Sequence, residues 1–360
     1  ARNEDSMYGF YLVQDKAVLD CSMIFFSELC YDCKNNYKNY NVIRCFDTNE
    51  SMNCAFLKDC ANCNNCFASV NLRNKSHVFF NQQLTKEEYD KKISEIDLGS
   101  YRKYKEVEKM AEEHFSKYPS RGIYENLTHN CTGSYIFESK NSKDCYEIGY
   151  CEDCRYCMLM KQPKMKDCYD YTDWGFGAEL IYECDVVGEN VSNVKFCWYV
   201  YSNSSNMEYC ALCVGCKDCF GCVGLRNKQY CILNKQYSKE EYIKMVEKIK
   251  KHMMDMPYKD KAGRIYGYGE YFPLEFSSYP YNDSFANYFF KKSKEETEAE
   301  GLTWYETEGK KYPITISYSD LPDHIKDTGE EILKEVIACS KCSKGYKITK
   351  LELDWSKKMN

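Results

Sequence analysis

The pattern of apolar and polar positions beats most clearly in "CALCVGCKDCFGC", residues 210–222, where cysteine recurs at every third residue. A flat strand sends i and i+3 to opposite faces. A helix of 3.6 residues per turn drifts out of a strict period of three. A narrow coil that turns a corner every few residues aims every third side chain inward. The expected inward set is Cys210, Cys213, Cys216, Cys219, Cys222, Leu225 and Cys231. An equivalent run upstream supplies Leu57, Cys60, Cys63, Cys66, Ser69, Leu72 and Val78. Leu and Val stand in for Cys at matched positions. A metal ligand cannot be replaced by Leu, whereas a core residue can, and Cys is a small hydrophobe suited to a narrow bore. Tyr, Asn, Asp and Gly are then expected on the exterior and at the turns.

The two runs belong to a longer duplication. "NCFASVNLRNKSHVFFNQQLTKEEYDKKISEI" (65–96) aligns without a gap to "DCFGCVGLRNKQYCILNKQYSKEEYIKMVEKI" (218–249). Further upstream, "ELCYDC" (28–33) answers "ELIYEC" (179–184), and Cys45-Phe46 answers Cys197-Trp198. Within each copy a shorter beat appears: Cys33, Cys45, Leu57, Cys66 and Val78, then Cys184, Cys197, Cys210, Cys219 and Cys231. The spacings predict coils of 9, 12 and 13 residues. A short imperfect repeat with an apolar residue at each beat reads as a solenoid with one continuous core.

Each copy ends in a helical pattern. "LTKEEYDKKISEI" and "YSKEEYIKMVEKI" carry capping boxes, Thr85 with Glu88 and Ser238 with Glu241. Tyr89, Ile93 and Ile96 share one helical face, as do Tyr242, Val246 and Ile249. These helices are expected to cover the open solenoid ends. Residues 100–118 read as a charged linker helix with a solvated face. From about residue 256 the composition shifts, and five of the seven prolines follow. "SKEETEAEG" (293–301) reads as a short capped helix, and residues 327–348 as a helix leading into Cys339-x-x-Cys342.

The expected architecture is mainly β: two tandem copies of an irregular, cysteine-lined parallel β-solenoid, each capped by an α-helix, plus a small α+β zinc-ribbon-like C-terminal module. The divisions are 1–84 for the first solenoid, 85–120 for capping and linker helices, 121–237 for the second solenoid, 238–256 for its capping helix, and 257–360 for the C-terminal segment.

Composition narrows the function. The chain has 360 residues, 24 Cys, 34 Tyr and a net charge of −6. That cysteine content falls short of the ~8–10% of disulfide scaffolds, so reduced thiols and a cytoplasmic setting are expected. Net negative charge disfavours binding of nucleic acid or anionic membrane by the whole chain. No apolar run approaches the roughly 20 residues of a membrane span. The start "ARNEDSMYGF" shows no signal-peptide pattern and lacks an initiator Met, so a processed or trimmed piece is expected.

Several segments together carry a resemblance: "LRNKQYCILNKQYSKEEYIKMVEKI", "ELIYEC…NVKFCW", "NCTGSYIF" and "LPDHIKDTGEEILKEVIACSKC…YKITKLELDWSKKMN". Across nearly the whole chain these resemble a family of cysteine-rich proteins of candidate-phylum bacteria with small genomes. The resemblance implies zinc-ribbon-like ends, with Cys339 and Cys342 matching the first half of a C-terminal ribbon. The second half is absent from this sequence. The resemblance brings no activity with it.

Motifs of common enzymes (HExxH, GxSxG, GxxxxGK[ST]) are missing. His129 near Cys131 suggests a thiol–imidazole pair, against the plainer reading of a loop histidine beside a core cysteine. The favoured function is a non-enzymatic structural or interaction protein. Its core would be Cys33, Cys45, Cys60, Cys63, Cys66, Cys184, Cys197, Cys210, Cys213, Cys216, Cys219, Cys222 and Cys231. Its Tyr-rich flank would meet a protein partner or a second copy. One alternative is a metalloprotein holding zinc or an iron–sulfur cluster through CxxC or CxxCxxC runs such as Cys151, Cys154 and Cys157, or zinc at Cys339 and Cys342. Another is an enzyme using a groove between the two solenoids.

Overall fold

Every third residue from Asp5 to Phe80 has a left-handed backbone, with φ between +47° and +60°. The chain therefore turns a corner at three-residue intervals, and after four corners it lies against its own start. Phe10 pairs in parallel with Ser22, Ser22 with Lys34, Lys34 with Phe46, and Phe46 with Lys58. These coordinates are a computed structural model. It describes the chain apart from residues 1, 150–154, 159–169, 173–181, 183–184, 188–194, 197, 201–203, 285, 288–289, 307–311 and 360.

The first strands are β1 (Phe10–Val13), β2 (Lys16–Leu19), β3 (Ser22–Phe25), β4 (Glu28–Tyr31), β5 (Lys34–Tyr37), β6 (Tyr40–Ile43), β7 (Phe46–Asn49), β8 (Met52–Val70), β9 (Arg73–Phe79) and β10 (Gln82–Gln83). They form one curled, mainly parallel sheet in the order β1-β3-β5-β7-β8-β6-β4-β2. β9 adds to β8, and β10 folds back antiparallel on β9. Coil-to-coil spacing in such pairing is about 4.8 Å.

The register corrects one expectation. No nine-residue coil occurs among the described pairings of this sheet, because residues 61–67 pair with 73–79 at the same offset of twelve as the earlier strands. The step from Leu57 to Cys66 moves between positions on one coil. All inward positions look alike at a period of three, so sequence alone did not separate the columns.

A left-handed corner costs an ordinary L-residue roughly 1–2 kcal/mol, less for Asn and Asp, whose side chains bond locally. Nearly half of these corners are Asn or Asp. Their amides also bridge coils: Asn41 Nδ2 donates to Asn53 Oδ1 at 2.9 Å, and Asn62 Nδ2 to Asn74 Oδ1 at 2.6 Å. Asn41→Ile should lower the stability of the first unit by about 2 kcal/mol or more in urea unfolding, and Asn41→Gly by clearly less. Equal loss in both variants would show that backbone handedness is not what position 41 requires.

The chain divides into two compact units, Ala1–Ser120 with Glu308–Asn360, and Arg121–Thr307. In the second unit, β11 (Glu125–Asn126), β12 (Gly133–Phe137) and β13 (Cys145–Gly149) form one parallel sheet. A further set is β14 (Arg155–Met158), β15 (Asp170–Thr172), β16 (Asp185–Val187) and β17 (Trp198–Val200). The last is β18 (Ser205–Glu208), β19 (Lys217–Phe220), β20 (Gln229–Ile232) and the antiparallel β21 (Lys235–Gln236). Across residues 205–232 the three-residue corner returns at Asn206, Tyr209, Leu212, Gly215, Asp218, Gly221, Gly224, Asn227 and Tyr230. The glycines of "VGC" and "FGC" are thus corner residues.

Five α-helices occur among the described residues: α1 (Lys86–Ser94), α2 (Tyr101–Phe115), α3 (Lys239–Asp255), α4 (Lys294–Ala299) and α5 (Lys350–Lys358). The capping boxes of α1 and α3 form as expected. Tyr89 and Ile93 of α1, with Ile96 just past its end, pack with Phe56, Phe67, Phe79 and Phe80, outward-facing side chains of the coil. That cluster is separate from the inward one. The helix therefore covers an outer side of the coil. The end is closed by the turn into β10, where Asn81 exchanges two 2.8 Å hydrogen bonds with the Val70 backbone. Asn234 and Val223 repeat this at 2.9 Å.

Helix α2 is more than a linker. Val107 and Ala111 are buried against the same outer side. Arg44 pins the helix through Glu108 at 3.0 Å and Glu112 at 2.9 Å. The expected helix over 327–348 is not present. A 3-10 turn at Glu330–Lys334 gives way to extended Glu335, where Ile337 and Ala338 pair with Gly345 and Tyr346. The β-branched Val336-Ile337 favours that outcome. The alternating "YKITKLEL" conceals the start of α5, which a Thr349–Glu352 capping box opens.

Candidate functional site

Positions inward at one coil stack on those twelve residues away, giving four columns in the first unit. One runs Asp15, Ser27, Asn39, Ser51, Cys63. A second runs Val18, Cys30, Val42, Cys54, Cys66, Val78. A third runs Cys21, Cys33, Cys45, Leu57, Ser69, and a fourth Ile24, Asn36, Thr48, Cys60. Each of these residues is no more than 3 % exposed. In the second unit Cys210, Cys213, Cys216, Cys219, Cys222 and Cys231 are likewise buried. Leu225 and Leu72 are only partly covered. Cys184, Cys197, Cys151 and Cys154 lie outside the described residues, and Cys157 falls in β14.

The columns are held by a specific hydrogen-bond pattern. Between coils the inward carbonyls accept ladder bonds, as Cys21 does from Phe10 N–H at 3.0 Å and Ser27 from Lys16 N–H at 2.9 Å, while several inward N–H groups turn to side chains instead. An unpaired buried N–H is costly. Small polar side chains one coil earlier accept from them. Ser27 N–H donates to Asp15 Oδ1 at 2.8 Å, Asn39 N–H to Ser27 Oγ at 3.0 Å, and Ser51 N–H to Asn39 Oδ1 at 2.8 Å. Sulfur plays the same part: Cys33 N–H donates to Cys21 Sγ at 3.3 Å, Cys45 N–H to Cys33 Sγ at 3.4 Å, and Asn234 N–H to Cys222 Sγ at 3.4 Å. The thiols in turn donate to carbonyls two residues back, as Cys33 does to Tyr31 at 3.1 Å and Cys222 to Phe220 at 3.4 Å. Cysteine is thus a small, mostly apolar residue that still satisfies the backbone.

Burial pushes the Cys45 thiol up, and Cys33 beside it adds to the rise. Burial resists charge at Cys33 too, but S–H groups of Cys21, Cys30 and Cys45 converge on it and pull it down. Cys60 and Cys66 do the same at Cys63, and Cys210 and Cys219 at Cys222. Each cluster titrates as a unit with a central acceptor sulfur.

Asp15 was not singled out by the sequence pattern, nor were Cys21, Cys30, Cys54, Asn36, Asn39 and Thr48. Running the period of three back from Cys33 would have found most of them. Burial pushes the Asp15 carboxyl up to about 6, against the pull of the Ser27 and Val13 backbone N–H groups. Its folded pKa exceeds its unfolded value of about 3.9. The favourable contribution is therefore full below about pH 4, declines as pH rises, and is lost through about pH 6. Stability of the first unit should fall by about 2 kcal/mol between pH 4 and 7 on this account, and Asp15→Asn should flatten that slope. Identical slopes in both proteins, read from denaturant midpoints, would contradict it.

On the exterior of the same unit, Phe26, Tyr37 and Tyr40 are exposed, and Phe26 meets Tyr37 edge-on with ring centroids 5.7 Å apart.

The C-terminal cysteine pair sits on a tight hairpin. Ser343 N–H donates to the Cys339 carbonyl and Cys339 N–H to the Lys344 carbonyl, both at 2.9 Å, with Ser343 at φ +57°. Cys342 is exposed and Cys339 partly so. The backbone N–H groups of Lys341 and Cys342 face the Cys339 sulfur and lower its pKa, helped by the Cys342 thiol. The pair brings two thiols together, and among the described residues no group of three or more Cys, His, Asp or Glu is placed to hold a metal ion. A closed tetrahedral zinc site needs four ligands. The suggested His129–Cys131 pairing also has a plainer form: the Cys131 thiol lies 3.4 Å from the His129 carbonyl.

No helix among the described residues is long and apolar enough to cross a membrane. A scan against protein-family models finds no match, and a search of curated proteins finds none. Among solved structures, a chain described as an acetyltransferase from Desulfovibrio desulfuricans G20 is matched at 8% identity and a TM-score of 0.11. The match spans 56% of this chain and 52% of that one. A likeness of that size says nothing about fold or activity.

Proposed function

We propose that the chain is a non-enzymatic structural or interaction protein built on two tandem β-solenoid units with cores of packed thiols. The observation that supports this most is the bonding of the thiols. Inward cysteines donate to backbone carbonyls and accept backbone N–H groups from one coil on, as Ser69 does in the same column and Asp15, Ser27 and Asn39 do in another. A side chain exchangeable with serine and valine is a wall component. The exposed Phe26, Tyr37 and Tyr40 supply a surface of the kind that protein partners or a second copy use.

Elemental analysis of the purified protein tests this reading. It predicts zinc and iron far below one per chain, together with a cooperative unfolding transition unchanged by a chelator. Stoichiometric metal that leaves with loss of the fold would overturn it in favour of a metalloprotein.

A further inference from the structure

Residues 38–41 and 50–53 form one flat side of the first unit on two successive coils. Tyr40 pairs with Met52 at its centre, and each is 44 % exposed. Left-handed corners bound the side: Lys38 and Glu50 on one edge, Asn41 and Asn53 on the other. Lys38 Nζ rests 5.0 Å from the centroid of the Tyr37 ring. Among the described residues neither Lys38 nor Glu50 has an ion-pair partner. Phe26, one coil before Lys38 on the same edge, is exposed too. Helices α1, α2 and α5 pack elsewhere, around Leu19, Phe56 and Phe67. An apolar centre between polar edges is the anatomy of a protein interface.

We propose that this side is the interface of a two-fold dimer in which two copies meet face to face with their coil stacks antiparallel; this rests on the reading of the chain as an interaction protein. A two-fold interface must be complementary to itself, and the charges choose its register. An axis crossing the side between the two coils sets Tyr40 opposite Met52 of the second copy, and Met52 opposite its Tyr40. It also sets Lys38 opposite the second copy's Glu50, twice, and Asn41 opposite its Asn53. Further along, Phe26 meets Asn62, Glu28 meets Asn64 and Lys16 meets Ser76, so no like charges oppose each other on this side. An axis through either coil would set Lys38 against Lys38 or Glu50 against Glu50. Parallel stacks would leave both charges facing amides. Packed sheet faces stand about 10 Å apart, a gap that a lysine and a glutamate span together.

Sedimentation of the full chain over a concentration series tests this. Expected is a mass that rises from one chain of 42.4 kDa toward two. Lys38→Glu and Glu50→Lys each set like charges face to face, and each should weaken the dimer at least ~10-fold. The double variant swaps the pair and should return to within ~3-fold of wild type. Both positions are exposed, so unchanged melting curves show that the fold is kept. In a mixture of isotope-labelled and unlabelled chains, a carbodiimide should join Lys38 of one copy to Glu50 of the other. A chain that stays monomeric at every concentration would overturn the proposal. So would a dimer that single charge reversals leave unchanged, or that the double variant fails to restore. Metal content does not depend on this contact, so loss of the dimer and loss of the thiol wall are read separately.

Discussion

Replacing Cys33 with phenylalanine should abolish the cooperative folding of the first unit, while replacing it with serine should leave the unit folded. Cys33 is 2 % exposed and stacks between Cys21 and Cys45, with a coil on either side. A phenyl ring has nowhere to go in a bore whose sides are three residues long. Overpacking of this kind costs about 3 kcal/mol, or more where the backbone cannot shift. Serine keeps both halves of the hydrogen bonding, as Ser27 and Ser51 already do for Asn39 and Cys63 at 3.0 and 3.1 Å. Its expected loss is about 1 kcal/mol, from a smaller and more polar side chain. Cys33→Ala falls between them, since it leaves the Cys45 N–H without its acceptor at a cost of about 1–3 kcal/mol. The order Ser, Ala, Phe in urea midpoints is the signature of a packed and bonded wall. A serine variant as damaged as the phenylalanine one would point to chemistry specific to sulfur.

The second large effect is expected at Trp355, on the outer side of the coil. Its ring is 6 % exposed, packed with Ala17, Leu19 and Leu29, and its indole N–H donates to the Ala17 carbonyl at 2.8 Å. Ala17 is itself a left-handed corner at φ +52°. One residue thus anchors helix α5 to an outer side of the coil. Trp355→Ala should cost about 3–5 kcal/mol of docking energy. The C-terminal segment should become sensitive to protease at low enzyme concentration while the coil stays resistant. Trp355→Phe keeps most of the apolar contact and loses the N–H bond, so its loss should be nearer 1 kcal/mol. If the alanine variant is cleaved no faster than wild type, the helix is held by something other than this ring.

What the sequence made legible was the inward period and what it could not be. Cys60, Cys63, Cys66, Cys210, Cys213, Cys216, Cys219 and Cys222 were placed inward from spacing alone, and all are buried. Neither a flat strand nor a helix keeps a period of three, so the spacing pointed to a coil with those side chains inside. The twelve-residue column was not legible, because nothing in a Cys-x-x-Cys run marks which inward residue completes a coil. The polar inward residues Asp15, Asn36, Asn39 and Thr48 were missed for a related reason. A search for apolar beats does not see a position whose need is for a hydrogen-bond acceptor. The corners were half legible: Tyr, Asn, Asp and Gly were expected on the exterior and at the turns, but Met23, Phe26, Leu29 and Arg44 also adopt the left-handed backbone. Coil stacking overrides their propensity. In the C-terminal segment, residues 327–348 read as helix. Pairing of Ile337 with Tyr346 settled it as strand.

The reactivity of the bore thiols in the native protein separates a packed wall from a chemical site. Timed labelling with an aromatic disulfide, followed by peptide mapping, measures that for each cysteine. Cys33, Cys45, Cys60, Cys63, Cys66, Cys210, Cys213, Cys216, Cys219 and Cys222 should remain unlabelled until denaturant unfolds the chain, and then react together at the unfolding rate. Rapid labelling of these residues in folded protein, or labelling released only when a chelator removes a metal, would contradict a wall of packed thiols.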